Sequence, residues 1–413
     1  MRSAAPRHEP DRTRFKSKYR FSAEQQLIIR CARVCLTDSD KTELRALASS
    51  KIDWDCVLSE TLRQSIVPLL YRHLHAHCSD LVPAATLSEL RKHYLLASAR
   101  SLALAAELRE IIILLEAKDV ACLPYKGPVL ALQAYGDIGL RTFTDLDLIV
   151  RPGDVAKARE LLASRGYKPI DELTQSQEAA VLKLDHNLPL FRVKDRIVIE
   201  LHWRVAPVTV TFLMPTQLLW DRATYVVLGG KEVRGMSPSD LIVVLSVHGT
   251  RHAWSAVEWI TGIAELIRKT NGVCWDQVIR EAQYFRVARA VRLALALAHC
   301  FLEAPLPDRV TCWIDSDARI PGLVNWVASR LFVSIDSDDS TEQWAAFKFE
   351  LAVKDSTKDQ IRDAVCRIFL PTAKDWSASG LPDLFFPIYH VLRPLRLLGR
   401  YLSIRQNEQR GRE

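Results

Sequence analysis

The sequence predicts an α+β fold, a small mixed sheet core set between N-terminal and C-terminal helical regions. Three observations predict it. From about residue 22 to 118 apolar residues recur at helical spacing. Between 119 and 236 short β-branched, alternating runs separated by turn residues take over. From Ser237 the helical spacing returns and continues to about 405. A chain of 413 residues can hold two or three such units, and 48% hydrophobic content is that of an ordinary globular protein.

The elements follow in order. Residues 1–20 are polar and Arg-rich, and are expected to be disordered. Helical stretches are expected at Ala23–Cys35, Ser39–Ser49, Trp54–His75 and near Leu87–Ala117. The core region reads as strand 121–125, helix 128–135, strand 145–150, helix 154–165 and strand 167–170. Phe191 and its neighbours then pair with 197–203 across the turn Lys194-Asp195-Arg196, and Tyr225–Leu228 pairs with Val233 across Gly229-Gly230-Lys231. Ser237-Pro238-Ser239-Asp240 is a helix start. Pro305, Pro307, Pro321 and the acidic-polar run 336–340 place a loop near 303–340, a last helical segment covers about 356–405, and 406–413 is a tail.

The chemistry concentrates in the core. In Asp145-Leu146-Asp147 the two carboxylates share one face of a strand, because side chains alternate. Carboxylates that close repel unless a cation lies between them, and a hard divalent ion is the natural partner. Glu200 and His202 share the polar face of the strand 197–203, with Ile199, Leu201 and Trp203 on the other. Laid beside the first strand, Glu200 completes a three-carboxylate cluster able to hold two Mg²⁺ (or Mn²⁺) ions for phosphoryl or nucleotidyl transfer. Upstream, Lys126-Gly127-Pro128 opens a helix: Pro128 suits its first turn, Gly127 lets backbone approach a phosphate, and Lys126 brings a positive charge.

Charge and cysteines narrow the function classes. Residues 1–20 hold seven Lys/Arg against two Asp/Glu and residues 392–413 hold six against two, so of the net +7 the tails carry +9 and the body −2. A nucleic-acid groove through the body is unsupported by charge, although the tails leave RNA as an open partner. The nine cysteines are scattered, odd in number and without C-x-x-C, which points to reduced thiols and a cytoplasmic protein. No apolar run is long enough for a membrane span, and the basic N-terminus lacks the apolar stretch of a secretory signal. The segment 381–402 mixes Phe385, Phe386 and Tyr389 with Arg393, Arg396 and Arg400, so it either docks on the body or rests on an anionic membrane.

Lys126-Gly127, Tyr135, Arg141, Asp145-x-Asp147 and Glu200-x-His202-Trp203, in this order, resemble the uncharacterised nucleotidyltransferase family of the DNA-polymerase-β-like superfamily. Gly166-Tyr167, His248 to His252, Trp259 to Leu266 and Phe369-Leu370-Pro371-Thr372 extend the likeness to roughly residues 22–405. The resemblance implies transfer of a nucleotide from an NTP, most simply ATP, to an unidentified acceptor with release of pyrophosphate. It implies Asp145, Asp147 and Glu200 as catalytic metal ligands, with Lys126, Gly127 and Arg141 at the nucleotide. Two departures stand out. Glu200 stands where aspartate is commoner, and Gly262 stands where relatives often carry an aspartate. These keep open a catalytically degenerate nucleotide-binding or scaffold protein. For individual residues ordinary roles compete: an ion pair for Glu200 or Arg141, a surface position for Lys126, packing for His202. His248 and His252 have metal-ligand spacing but read more simply as polar pocket lining or a core pair.

Overall fold

The computed structural model describes residues 20–171, 173–269, 272–333, 340–372 and 388–397. Five helices lead: α1 (Ala23–Cys31), α2 (Asp38–Ala48), α3 (Trp54–Arg63), α4 (Val67–His77) and the 33-residue α5 (Ala84–Glu116). Ser22 and Thr37 cap α1 and α2 through reciprocal bonds with Gln25 and Asp40, which fixes where these helices begin.

The core region follows as β1 (Cys122–Pro124), α6 (Gly127–Leu130, running into a π-helical turn Ala131–Tyr135), β2 (Asp145–Val150), α7 (Val155–Ser164), β3 (Lys168–Pro169), α8 (Gln175–Leu184), β4 (Asn187–Arg192) and β5 (Ile197–His202). The five strands make one mixed sheet in the order β1-β2-β5-β4-β3, with β2 and β5 parallel and the other neighbours antiparallel. After α9 (Thr216–Asp221), β6 (Thr224–Leu228) and β7 (Lys231–Gly235) form a separate hairpin. The helices α10 (Pro238–Arg251), α11 (Val257–Lys269), α12 (Trp275–Tyr284), α13 (Ala288–Leu302), α14 (Asp308–Asp315), α15 (Ile320–Arg330), α16 (Ser340–Ala352) and α17 (Thr357–Phe369) complete the ordered elements. The mixed α+β architecture is the expected one.

Alternation in the strands divides the apolar residues between two cores. Leu146, Leu148, Val150, Ile199 and Leu201 face Leu104, Leu108, Ile111 and Leu115 of α5, whose spacing puts them on one side of that helix. On the opposite sheet face Leu123, Tyr125 and Ile149 join a larger core that contains both Leu27, Leu44 and Leu70 from the N-terminal helices and Ile242, Ile263 and Leu295 from the C-terminal ones. The two helical regions therefore share one apolar interior, and the polar face of the sheet looks toward it.

The loop expected near 303–340 is largely helical. Pro307 caps α14 and Pro321 sits in the first turn of α15, where a missing N–H costs nothing, so these prolines start helices. Of the acidic-polar run, 336–339 lie outside the described residues and Ser340 opens α16. The 1–20 tail, apart from Arg20, and 406–413 also lie outside them. Within 381–402 the described part docks: Tyr389 is only 2% exposed in the sheet–α5 core, and Arg393 donates to the Arg367 carbonyl. No helix among the described residues is long and apolar enough to cross a membrane.

One close approach shapes the α10–α11 corner. The buried Trp254 ring lies where a Cβ on Gly249 would be, 2.6 Å from it. Gly249→Ala is expected to lower stability by about 1–3 kcal/mol through overpacking, read as a reduced midpoint in urea denaturation.

Candidate functional site

The parallel register of β2 and β5 places Asp147 opposite Glu200 and Ile149 opposite His202. Asp147, Glu200 and His202 therefore project from one sheet face, and each has a ligand atom within 4.8 Å of the others. One Asp147 oxygen, Oδ1, accepts from the Lys126 ammonium at 2.8 Å and from His202 Nε2 at 3.1 Å. The other, Oδ2, is buried without a partner. His202 Nε2 also lies 3.2 Å from Glu200 Oε2, and Asn187 donates to that same oxygen at 3.1 Å. Asn187 sits opposite His202 on β4, so it reaches Glu200 along the diagonal of an antiparallel pair.

Electrostatics splits the aspartate pair. Burial opposes the charge on Asp147, whose side chain is 1% exposed, but Lys126 and His202 outweigh it and hold the carboxyl well below the usual carboxylate range. Glu200 is lowered against burial by its bond with His202, and His202 is raised against burial by Asp147 and Glu200. Asp145 has no such relief. Burial, followed by the charges of Asp147 and Glu200, pushes it up to about 6 despite Lys126 and Arg141.

The residues of the Lys126-Gly127 turn converge on this cluster. Gly127 has φ +50°, a left-handed conformation that favours glycine, and a Cβ there would stand 3.4 Å from the Asp145 carbonyl. Arg141, expected at the nucleotide, sits behind the Gly127 turn. It is buried, donates to Glu258 on α11 at 2.6 Å, and donates to the Gly127 carbonyl at 3.3 Å. It thus braces the turn from behind while its charge is met by Glu258, which Tyr135 also contacts at 3.4 Å. A side chain at Gly262, one turn after Glu258, would meet Leu130 and the Tyr135 hydroxyl at ordinary contact distance.

Sequence reasoning missed four contributors. Tyr125 lies 3.4 Å from His202 Nε2, and Asn187 supports Glu200. His186 packs edge-on against His202 while bonding Asp185 at 2.6 Å. Extending the predicted β4 four residues toward its N-terminus would have found Asn187; nothing local marks the others. Beside Asn187 opens a cleft of about 290 Å³, lined among others by Asp171, Asp185, Leu188 and Pro189.

The donor set fits a divalent cation. The carboxylates of Asp147 and Glu200 and the His202 imidazole each place a ligand atom within 4.8 Å of the others, one Asp147 oxygen is buried without a partner, and the charges of Asp147 and Glu200 bear on the buried Asp145.

The split within the pair is testable in metal-free protein. Asp145→Asn is expected to stabilise at pH 7, on the order of 2 kcal/mol, since a carboxyl with a folded pKa above its unfolded one loses stability as pH rises. The gain should be absent below about pH 4 and complete above about pH 6, the window set by 3.8 and about 6. Asp147→Asn should instead destabilise by about 3 kcal/mol, because it strips Lys126 of its buried partner. Thermal melts of both variants across pH 4–8 check this.

Comparison with known proteins bears on the same residues. A protein-family model described as "Uncharacterised nucleotidyltransferase" matches residues 50–303, an interval that holds every site residue above. No curated protein matches the chain. A solved structure described as an antigenic nucleotidyltransferase-like protein from Paracoccidioides brasiliensis is 13% identical and covers 54% of this chain and 94% of its own, with a TM-score of 0.28. That superposition is too loose to transfer anything to this chain. The family match spans more than half of the sequence, and the chain belongs to the uncharacterised nucleotidyltransferase family.

Proposed function

We propose that the protein is a Mg²⁺-dependent nucleotidyltransferase that moves the nucleotidyl group of ATP to an acceptor held in the cleft beside Asn187. The observation that carries this reading is the convergence of Asp147, Glu200 and His202 on one sheet face, next to Asp145, Lys126 and the Gly127 turn.

A divalent ion held by Asp145, Asp147 and Glu200, with His202 beside them, would neutralise developing charge and lower the pKa of the acceptor. The chain's own groups supply the rest. An acceptor oxygen attacks the α-phosphorus, the bond to the β-phosphate oxygen breaks, and pyrophosphate leaves. Glu200 takes the acceptor's proton, and it is the most exposed of the three cluster residues, at 29%. Lys126 exchanges its contact with Asp147 for a phosphate oxygen, its charge fixed in place by the preceding strand. The left-handed Gly127 turn keeps side chains away from the phosphates, and Arg141 positions that turn through the Gly127 carbonyl. Nine free cysteines suit a reducing, cytoplasmic setting.

The test is incubation with each labelled NTP, Mg²⁺ or Mn²⁺ and a cell extract. Label transfer with metal-dependent pyrophosphate release is expected; nucleotide binding without either would point to a scaffold protein. In the same assay Glu200→Gln should lower turnover on the order of 10²-fold or more, the scale of a general-base contribution, with NTP affinity retained. Turnover left intact with only a loss of stability would reduce Glu200 to a structural ion pair.

A further inference from the structure

His248 and His252 end α10 one turn apart, and Trp259 begins the next helix. The two imidazole centroids are 4.6 Å apart, and the indole lies 5.9 Å from His248 and 5.0 Å from His252. The three rings form one continuous patch. His252 is exposed, and His248 and Trp259 are partly so.

The corner that holds this patch is built for it. Ala253 and Trp254 both adopt left-handed backbone, φ +53° and +54°, which residues with a Cβ avoid unless their surroundings dictate it. The dictating contact is Trp254 packed onto the bare Gly249, with its N–H donating to the Gly249 carbonyl at 2.9 Å. Gln64, from the N-terminal helices, accepts from the Val257 N–H at 2.7 Å and fixes the start of α11. The chain therefore reverses sharply enough to bring Trp259 back over His252. Burial, then Lys126, keeps the His248 imidazole uncharged, and the positive charges of Arg251 and Lys126 near the exposed His252 disfavour a charge there too. The patch also adjoins the site: the charges of Lys126 and Asp147 bear on His248, and those of Lys126 and Glu200 on His252.

We infer that His248, His252 and Trp259 form a stacking platform for the base of the nucleotide whose phosphates lie at Lys126 and Gly127. This rests on the nucleotidyltransferase reading above and adds where the base goes. The rings are inclined to one another by 50–75°, so a single ring face, that of the exposed His252, takes the base while the other two rings wall it in; an aromatic face next to a phosphate-binding cation matches the two halves of a nucleotide, a planar heteroaromatic base and a polyanion. Stacking on such a surface is worth roughly one to two orders of magnitude in affinity per base.

The experiment compares Mg-ATP with magnesium tripolyphosphate, which has the phosphates and lacks the base, by calorimetric titration of the full chain, His252→Ala and Trp259→Leu. Wild type should bind Mg-ATP more tightly than tripolyphosphate. Each variant should weaken Mg-ATP about tenfold and leave tripolyphosphate unchanged. His252 is exposed, so its variant carries the test should Trp259→Leu fail to fold. If ATP and tripolyphosphate bind wild type equally, or both variants bind ATP as wild type does, the platform is wrong and nucleotide binding stands. If wild type binds neither ligand, the nucleotide reading falls and the platform falls with it.

Discussion

A carboxylate buried in the middle of a sheet is the constraint around which this molecule is arranged. Asp147 is ionised at 1% side-chain exposure, and a buried charge persists only with partners. Lys126 and His202 supply them. Each partner depends on a different piece of the fold: Lys126 on β1 running into the Gly127 turn, His202 on β5 lying parallel to β2 in one register. A slip of β5 by a single residue would turn Glu200 and His202 into the apolar core and leave Asp147 without its imidazole. The alternation that buries Leu146 and Leu148 is thus what brings the polar set together. The same arrangement leaves Asp145 uncompensated and one Asp147 oxygen unbonded, a combination that stores electrostatic strain which a bound cation would relieve.

The helical regions are tied into this cluster rather than appended to it. Arg141 joins the Gly127 carbonyl to Glu258 on α11, and Tyr135 meets the same carboxylate, so the Gly127 turn is braced by a helix far along the chain. Gln64 caps α11 and also donates to the Leu331 carbonyl, linking the N-terminal helices to the far C-terminal part. The α10–α11 corner carries its ring patch to the edge of the cluster. Gly262 lies beside Tyr135, and the carboxylate for Arg141 comes from Glu258 one turn earlier.

Much of this was legible in the sequence because it depends on local signals: period-two alternation puts Asp145 and Asp147 on one face and Glu200 with His202, turn residues mark the two hairpins, and Pro128 marks the first turn of the helix after it. What was not legible depended on partners distant in sequence. The ion-pair partner of Arg141, Glu258, lies 117 residues away, beyond the reach of any local pattern. The two aspartates look equivalent until Lys126 and His202 both choose Asp147. His202 looks like a packing residue until the parallel register brings it to 3.1 Å from that carboxylate. The prolines at 307 and 321 read as loop residues because the cue that a proline sits in a first helical turn lies in the packing of the helix that follows.

The measurement that bears most directly on the central role of Asp147 is a Mn²⁺ titration followed by electron paramagnetic resonance, on wild type and Asp147→Asn at pH 7. The account predicts saturable binding to the wild-type chain without nucleotide, lost in Asp147→Asn while that protein remains folded by circular dichroism. Equal Mn²⁺ binding by the two proteins would contradict it.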